Sequence, residues 1–214
     1  MISVQRFQDE ASWLAARVES IGASETPCLL GCAPPRMDAE KMRAELIASK
    51  ATGVRKKRDA KSRARMDAGK IFEARGLVLL GEKLKTPVAP CGFTIYRNPL
   101  FPFLHATPDA VVGDALAECK ALGPDSILEW GDYSGWQGRW KWNDEPPVRH
   151  QVQAQAQMAA AGAFRSWVCC VAGTDFNAWQ VERDDELLLM IRSAVLAAVD
   201  EINAARESQK EAAQ

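Results

Sequence analysis

The chain is predicted to be an α/β domain, and three observations carry that reading. His105 to Lys120 has the alternation and the central Gly113-Asp114 pair of a β-hairpin closed by a two-residue turn. Trp167-Val168-Cys169-Cys170-Val171-Ala172 is an unbroken apolar run, as expected of a strand buried on both faces. Around these strands, apolar residues recur at helical spacing over several long stretches.

Taken in order, Arg6 to about Ser20 reads as an amphipathic helix through Phe7, Ala11, Leu14 and Val18. Ile21-Gly22-Ala23-Ser24-Glu25 is a tight turn into a second short helix ending near Leu30-Gly31, and Asp38 to Ser49 is a third helix. Residues 50–65 are strongly basic: Lys50, Arg55, Lys56, Lys57, Arg58, Lys61, Arg63 and Arg65 face only Asp59. Such a run is a solvated, flexible face or a hold on a phosphate backbone. A helix from Met66 to about Leu80 is expected to bury Ile71, Val78 and the leucines and to stop at Gly81. Phe93-Thr94-Ile95-Tyr96 is a strand expected to pair with the hairpin. Between residues 127 and 147, Trp130, Trp136, Trp140 and Trp142 stand among glycines, Arg139 and Lys141. That composition suits stacking on unpaired bases, capping of the core, or a subunit contact. Val148 to Ala161 is a helix closed by Gly162, Asn177 to Val181 is a strand, and Asp184 caps a final amphipathic helix through Leu187, Ile191, Val195 and Val199.

The 214 residues are expected to form one domain over residues 1–214, and the net charge of −1 leaves any nucleic-acid contact to local basic patches. No signal peptide is read at the N-terminus, and the longest apolar run, Leu187 to Val199, is broken by Arg192. The expectation is therefore a soluble cytoplasmic protein without a membrane partner. Cys169 and Cys170 are adjacent while Cys28 and Cys32 stand far away, a spacing that suits small buried hydrophobes better than a cluster or zinc site. Nucleotide-loop and zinc spacings are absent, and two histidines are too few for a histidine-based metal site.

Centred on Gly113-Asp114, the hairpin pairs Val112 with Ala115, Val111 with Leu116, Ala110 with Ala117 and Asp109 with Glu118. One face carries Pro108, Ala110, Val112, Ala115, Ala117 and Cys119, suited to packing on helices; the other carries Thr107, Asp109, Val111, Leu116, Glu118 and Lys120. Two carboxylates directly across an antiparallel pair lie roughly 5 Å apart at Cβ and repel. A divalent cation between them removes the objection, because Mg²⁺ accepts one or two carboxylates together with water and substrate phosphate. Lys120 points at the same place, where it can orient water or offset charge on a phosphate.

Pro108-Asp109, a short spacer, then Glu118-Cys119-Lys120 resembles the signature of the PD-(D/E)xK nucleases. Trp13-Leu14-Ala15-Ala16-Arg17 followed by Ile21-Gly22-Ala23-Ser24-Glu25 resembles the opening of the lambda-exonuclease / YqaJ-type viral recombinase family. Further matches are Gly69 with Glu73, and Gln153-x-Gln155-x-x-Met158 with Gly162; the family's aromatic pair before the latter motif is replaced by Arg149-His150. These elements occur in the family's order over residues 10–175. The resemblance implies a restriction-endonuclease-like fold, a central mixed β-sheet flanked by helices. It implies catalysis by Glu73, Asp109, Glu118, Lys120 and Gln153. One or two Mg²⁺ (or Mn²⁺) ions would be held by Asp109, Glu118 and the Cys119 carbonyl, with Glu73 supporting directly or through water. In this family the residues matching Arg17 and Ser24 bind a terminal 5′-phosphate; by residue type alone they are a surface cation and a helix cap. The implied activity is 5′ to 3′ resection of duplex DNA ends by a homo-oligomer, often a ring-shaped trimer, for an annealing partner. Rival readings are an endonuclease or repair nuclease of the same fold, or a silent DNA-binding or host-modulating module.

Overall fold

The computed structural model describes residues 1–54, 59–123, 126–134 and 139–212, and at residues 61, 133, 134, 139 and 140 the backbone alone. Arg55 to Arg58 and Trp136 therefore lie outside the described residues. The chain begins with β1 (Ser3–Arg6) and α1 (Glu10–Ala16), in place of the single expected helix. Asp9 sets the break, because its carboxylate accepts from the Ser12 amide at 2.7 Å and fixes the helix start. β2 (Ile21–Gly22), a 3-10 turn over Ala23–Glu25 and α2 (Thr26–Leu29) follow. α3 (Ala39–Thr52) starts at its Asp38 cap and includes Lys50.

α4 (Ala60–Leu84) is longer at both ends than the sequence suggests. Gly81 does not stop it; the helix ends at Lys85, which takes a left-handed φ of 52°. Ile71 and Val78, expected inside, are exposed, and the buried face is instead Gly76, Leu77, Leu80 and Leu84. Next come β3 (Val88–Pro90), β4 (Thr94–Arg97), β5 (Leu104–His105), β6 (Ala110–Val112) and β7 (Ala115–Ala121). A 3-10 turn over Ile127–Glu129 leads to β8 (Gly131–Ser134) and β9 (Arg139–Trp142). α5 (Val148–Ala161) ends at Gly162 with φ 67°, and β10 (Arg165–Ala172), β11 (Asp175–Glu182) and α6 (Asp185–Ala212) complete the chain. Asp184 caps α6 through the Glu186 and Leu187 amides at 3.0 Å.

The central sheet has the order β11-β10-β7-β6-β3, with β7 and β10 parallel and the other pairs antiparallel. It is the mixed sheet flanked by helices that was expected. β4, expected beside the hairpin, is not part of it: that strand pairs with β1, and the hairpin's outer neighbour is β3. Pro90 at the end of an edge strand hides β3 from a pattern search.

Strand alternation now sorts the residues of β7 and β10. Ala117, Cys119, Cys169 and Val171 face α4 with Leu80, while Val168 and Cys170 face the other way and pack with Ala154 of α5 and Trp130. A Cβ on Gly76 would stand 2.2 Å from Cys119 Sγ, so a glycine is what lets α4 lie this close to β7. Among the described residues, a Cβ on Gly69 would meet only Glu73 Oε1, at 4.0 Å. A third layer, with Ile191 and Val195 of α6, closes over Val152 and Ala156 of α5. Trp130 is fully buried and Trp142 packs beside it on Trp179, so both cap the core.

Candidate active site

The hairpin forms in the predicted register, Ala110↔Ala117, Val111↔Leu116 and Val112↔Ala115, with φ 58° at Gly113. The pairing stops there. The Asp109 amide donates to the Ala117 carbonyl at 3.0 Å, and the Asp109 carboxylate accepts from the Cys119 amide at 2.8 Å. Asp109 thus leaves the ladder instead of standing across from Glu118. Its side chain is half-buried over the middle of β7.

Glu118 and Lys120 share the face of β7 turned toward α5. The α5 helix answers with amides at positions 153 and 157, one turn apart. Gln153 Nε2 donates to Glu118 Oε1 and Gln157 Nε2 to Glu118 Oε2, both at 2.6 Å. Lys120 Nζ also donates to Oε1, forming an ion pair. Hydrogen bonds to an ionised group are each worth about 1.5–3 kcal/mol net. Three donors hold the Glu118 side chain, itself only 8% exposed, in one orientation. The alternating glutamines are sorted by helical periodicity: Gln155 instead bonds the Glu182 carbonyl and the Asp184 amide, and Gln151 bonds the Pro146 carbonyl.

The electrostatics mark a cluster with more acid than its surroundings solvate. Burial, then the Glu118 charge, raises the Asp109 carboxyl well above the usual range. Burial also raises Glu73, which projects from the buried side of α4 and feels Lys120 and Glu118. Burial pulls the Lys120 ammonium down, but Glu118, Asp109 and Glu73 outweigh it and the net shift is upward. Among the described residues, no three His, Cys, Asp or Glu side chains form a ready cation cage. The donor set fits a hard divalent ion held by two carboxylates, with water and substrate oxygens completing its shell. An ionised carboxylate has about four acceptor positions. The three donors use both positions of Glu118 Oε1 and one of Oε2, leaving Oε2 with capacity for a cation.

Ser24 belongs to the 3-10 turn that packs against α5, and Arg17 caps the C-terminal end of α1. The Arg17 guanidinium lies 4.4 Å from the Trp13 ring, and Ser24 is exposed at the start of the 3-10 turn. Lys50 corrects the expectation of a solvated basic face, because it is buried. Its ammonium donates to the carbonyls of Arg17 at 2.9 Å and Ser20 at 2.6 Å and pairs with Glu25 at 2.9 Å. Arg17, Glu25, Ser49 and Lys50 line a hollow of about 30 Å³. Arg63 and Arg65 of the same basic run are exposed. Nothing local in the sequence separates Lys50 from its neighbours; only the packing of α3 against the end of α1 does.

An aspartate, a glutamate and a lysine are thus gathered on a hairpin of a mixed α/β sheet with flanking helices on both faces. The chain belongs to the family of YqaJ-like viral recombinase domains, whose model matches residues 12–164. It is 29% identical over 194 residues to YqaJ of Bacillus subtilis (strain 168), covering 85% of this chain and 53% of that protein. The chain thus spans about half the length of that relative. Its fold is similar to that of an alkaline exonuclease, LHK-Exo, from Laribacter hongkongensis, with TM-score 0.71, 24% identity, and coverage of 95% of this chain and 97% of that one. The structure of LHK-Exo in complex with dAMP matches with TM-score 0.73 at the same identity and coverage. A phage related exonuclease from Haemophilus somnus 129PT matches with TM-score 0.61 and 12% identity over 89% of this chain and 96% of that one. Among the described residues, no helix is long and apolar enough to cross a membrane.

Proposed function

We propose that this chain is a divalent-metal-dependent deoxyribonuclease that resects duplex DNA ends 5′ to 3′, leaving 3′ single strands for an annealing partner in phage-type recombination. The observation that carries this reading is the meeting of Asp109, Glu118, Lys120 and Gln153 at one place on the hairpin. Asp109, Glu118 and the Cys119 carbonyl would hold Mg²⁺ or Mn²⁺, with Glu73 supporting from α4. When bound, such a cation lowers the pKa of a water and offsets charge on the phosphate. Lys120, kept protonated by its acidic neighbours, orients the attacking water or neutralises charge on the phosphate. Gln153 holds Glu118 in place and borders the position of the scissile phosphate.

The family membership and the exonuclease names of the structural relatives support DNA as the substrate. The dAMP complex of LHK-Exo supports a site for a nucleoside monophosphate, and Arg17 and Ser24 are proposed to take the 5′-phosphate. Exposed Ile71, Phe72 and Val78 on α4 support a homo-oligomer, a trimer by the family's habit. The test is digestion of linear duplexes, with and without 5′-phosphate, in Mg²⁺ or EDTA, beside Asp109→Ala. Loss of the 5′-labelled strand only in Mg²⁺ and only in the wild type is expected. Internal cuts in circular DNA would replace this reading with an endonuclease, and no cleavage under any condition would leave a DNA-binding module.

A further inference from the structure

Gln157 is 1% exposed, yet among the described residues its carbonyl oxygen has no hydrogen-bond partner. A buried amide with an orphaned acceptor costs desolvation that a methionine or leucine of similar volume would avoid. Its only polar bond among the described residues is the 2.6 Å donation to Glu118 Oε2. That oxygen is the one left with acceptor capacity, since Oε1 already receives both Lys120 and Gln153. An amide whose cost is not recovered in the folded protein, and whose one donor meets the one carboxylate oxygen still able to bind, points to a role in that binding.

We infer that Gln157 is a positioning residue that aims Glu118 Oε2 and thereby sets the affinity of the site for its divalent cation. The inference rests on the metal-dependent reading proposed above and gives Gln157 a task distinct from that of Gln153. Because Gln157 donates a hydrogen to Oε2, it fixes the direction in which that oxygen's remaining lone pair points. Partners of this kind, one step removed from a metal, typically change affinity by 10–100-fold.

The test uses the full chain without DNA, titrated with Mn²⁺ while the free-ion resonance is followed by electron paramagnetic resonance, beside thermal melts without metal. Gln157→Met removes the donor at nearly constant volume, and Gln157→Asn withdraws the same amide by one methylene. Both are expected to weaken Mn²⁺ binding at least tenfold in molecules that remain folded, and the melts report the stability lost with the donor to Glu118 Oε2, which removal of the orphaned carbonyl offsets in part. Gln155→Met is the structural comparison: Gln155 ties β11 to α6 and does not touch Glu118. It should lower the melting temperature and leave Mn²⁺ binding unchanged. Affinity within twofold of wild type in either folded Gln157 variant would overturn the inference. A wild type that binds no Mn²⁺ would instead overturn the metal-dependent reading beneath it.

Discussion

The Lys50 ammonium lies 2.9 Å from the carbonyl oxygen of Arg17. This contact joins α3 to the C-terminal end of α1, where unpaired carbonyls favour a cation. The same ammonium takes the Ser20 carbonyl and the Glu25 carboxylate, and Glu25 in turn accepts from the Gly22 amide at 2.6 Å. One buried lysine therefore fixes the turn that carries both Arg17 and Ser24.

Replacing it should separate stability from phosphate recognition. Lys50→Met takes one donor from two carbonyls and from the Glu25 carboxylate, at a cost of about 1–3 kcal/mol, since Glu25 keeps the Gly22 amide and part of its exposure. Chemical denaturation measures that loss. Among molecules still folded, the preference for 5′-phosphorylated over unphosphorylated duplex ends should fall toward unity, while cleavage of unphosphorylated ends changes little. An unchanged preference would remove Arg17 and Ser24 from the phosphate site.

Gly76 makes a second prediction. A methyl there would stand 2.2 Å from Cys119 Sγ and 2.8 Å from Val171 Cγ2, so Gly76→Ala should destabilise by roughly 1–3 kcal/mol through overpacking. Removing the sulfur relieves the worse of the two clashes. The double variant Gly76→Ala/Cys119→Ala should therefore melt higher than the sum of the two single effects predicts. Simple additivity would show that α4 shifts freely away from β7.

Both histidines are buried and disfavour their charged forms. Burial, then Arg17, Lys50 and Arg97, pushes His105 down to about 2, and burial pushes His150 well below its usual range. Near neutral pH both are uncharged in folded and unfolded chains alike, so they contribute no pH dependence there. As pH falls through about 6.5 the unfolded chain takes up protons that the folded one refuses, and stability drops by up to about 1.4 kcal/mol per pH unit for each histidine. His105→Asn, measured by denaturation from pH 7 to 4.5, should flatten this acid limb by about one proton. A slope equal to that of the wild type would mean that His105 is protonated in the folded protein.

The parts of the molecule that could be read from the sequence are those whose signals are local. The hairpin declared its register through Gly113-Asp114 and alternation, and α5 declared its end through Gly162. Asp184 likewise marked the start of α6. What could not be read depends on partners distant along the chain. β1 exists because β4 pairs with it, and β3 exists because β6 does. Ile71 and Val78 fit one helical face as well as Gly76 and Leu80 fit another, and only the sheet beneath decides which is buried. Glu118, Lys120 and Gln153, which the motif singles out, do meet in the fold, whereas Gln157 and Lys50 gain their contacts from where the helices dock.

Asp109 gives the prediction that bears most directly on the metal. Its folded-state pKa is raised by burial and by Glu118, so its contribution to stability is fullest below the unfolded value near 3.8 and is lost as pH rises through the folded value. At neutral pH without metal, the Asp109 carboxyl is thus a liability that Asp109→Asn removes while keeping an acceptor for the Cys119 amide. The variant should melt higher than the wild type in EDTA by a few degrees, since about 1 kcal/mol moves the midpoint by roughly 2–4 °C in a domain of this size. Millimolar Mg²⁺ or Mn²⁺ should raise the melting temperature of the wild type and leave that of Asp109→Asn unmoved, because binding to the folded state alone stabilises it. DNA cleavage by the variant should be absent at every metal concentration. If instead the variant melts lower than the wild type in EDTA, Lys120 already neutralises Asp109 in the metal-free protein, and the excess of acid inferred at the hairpin is not real.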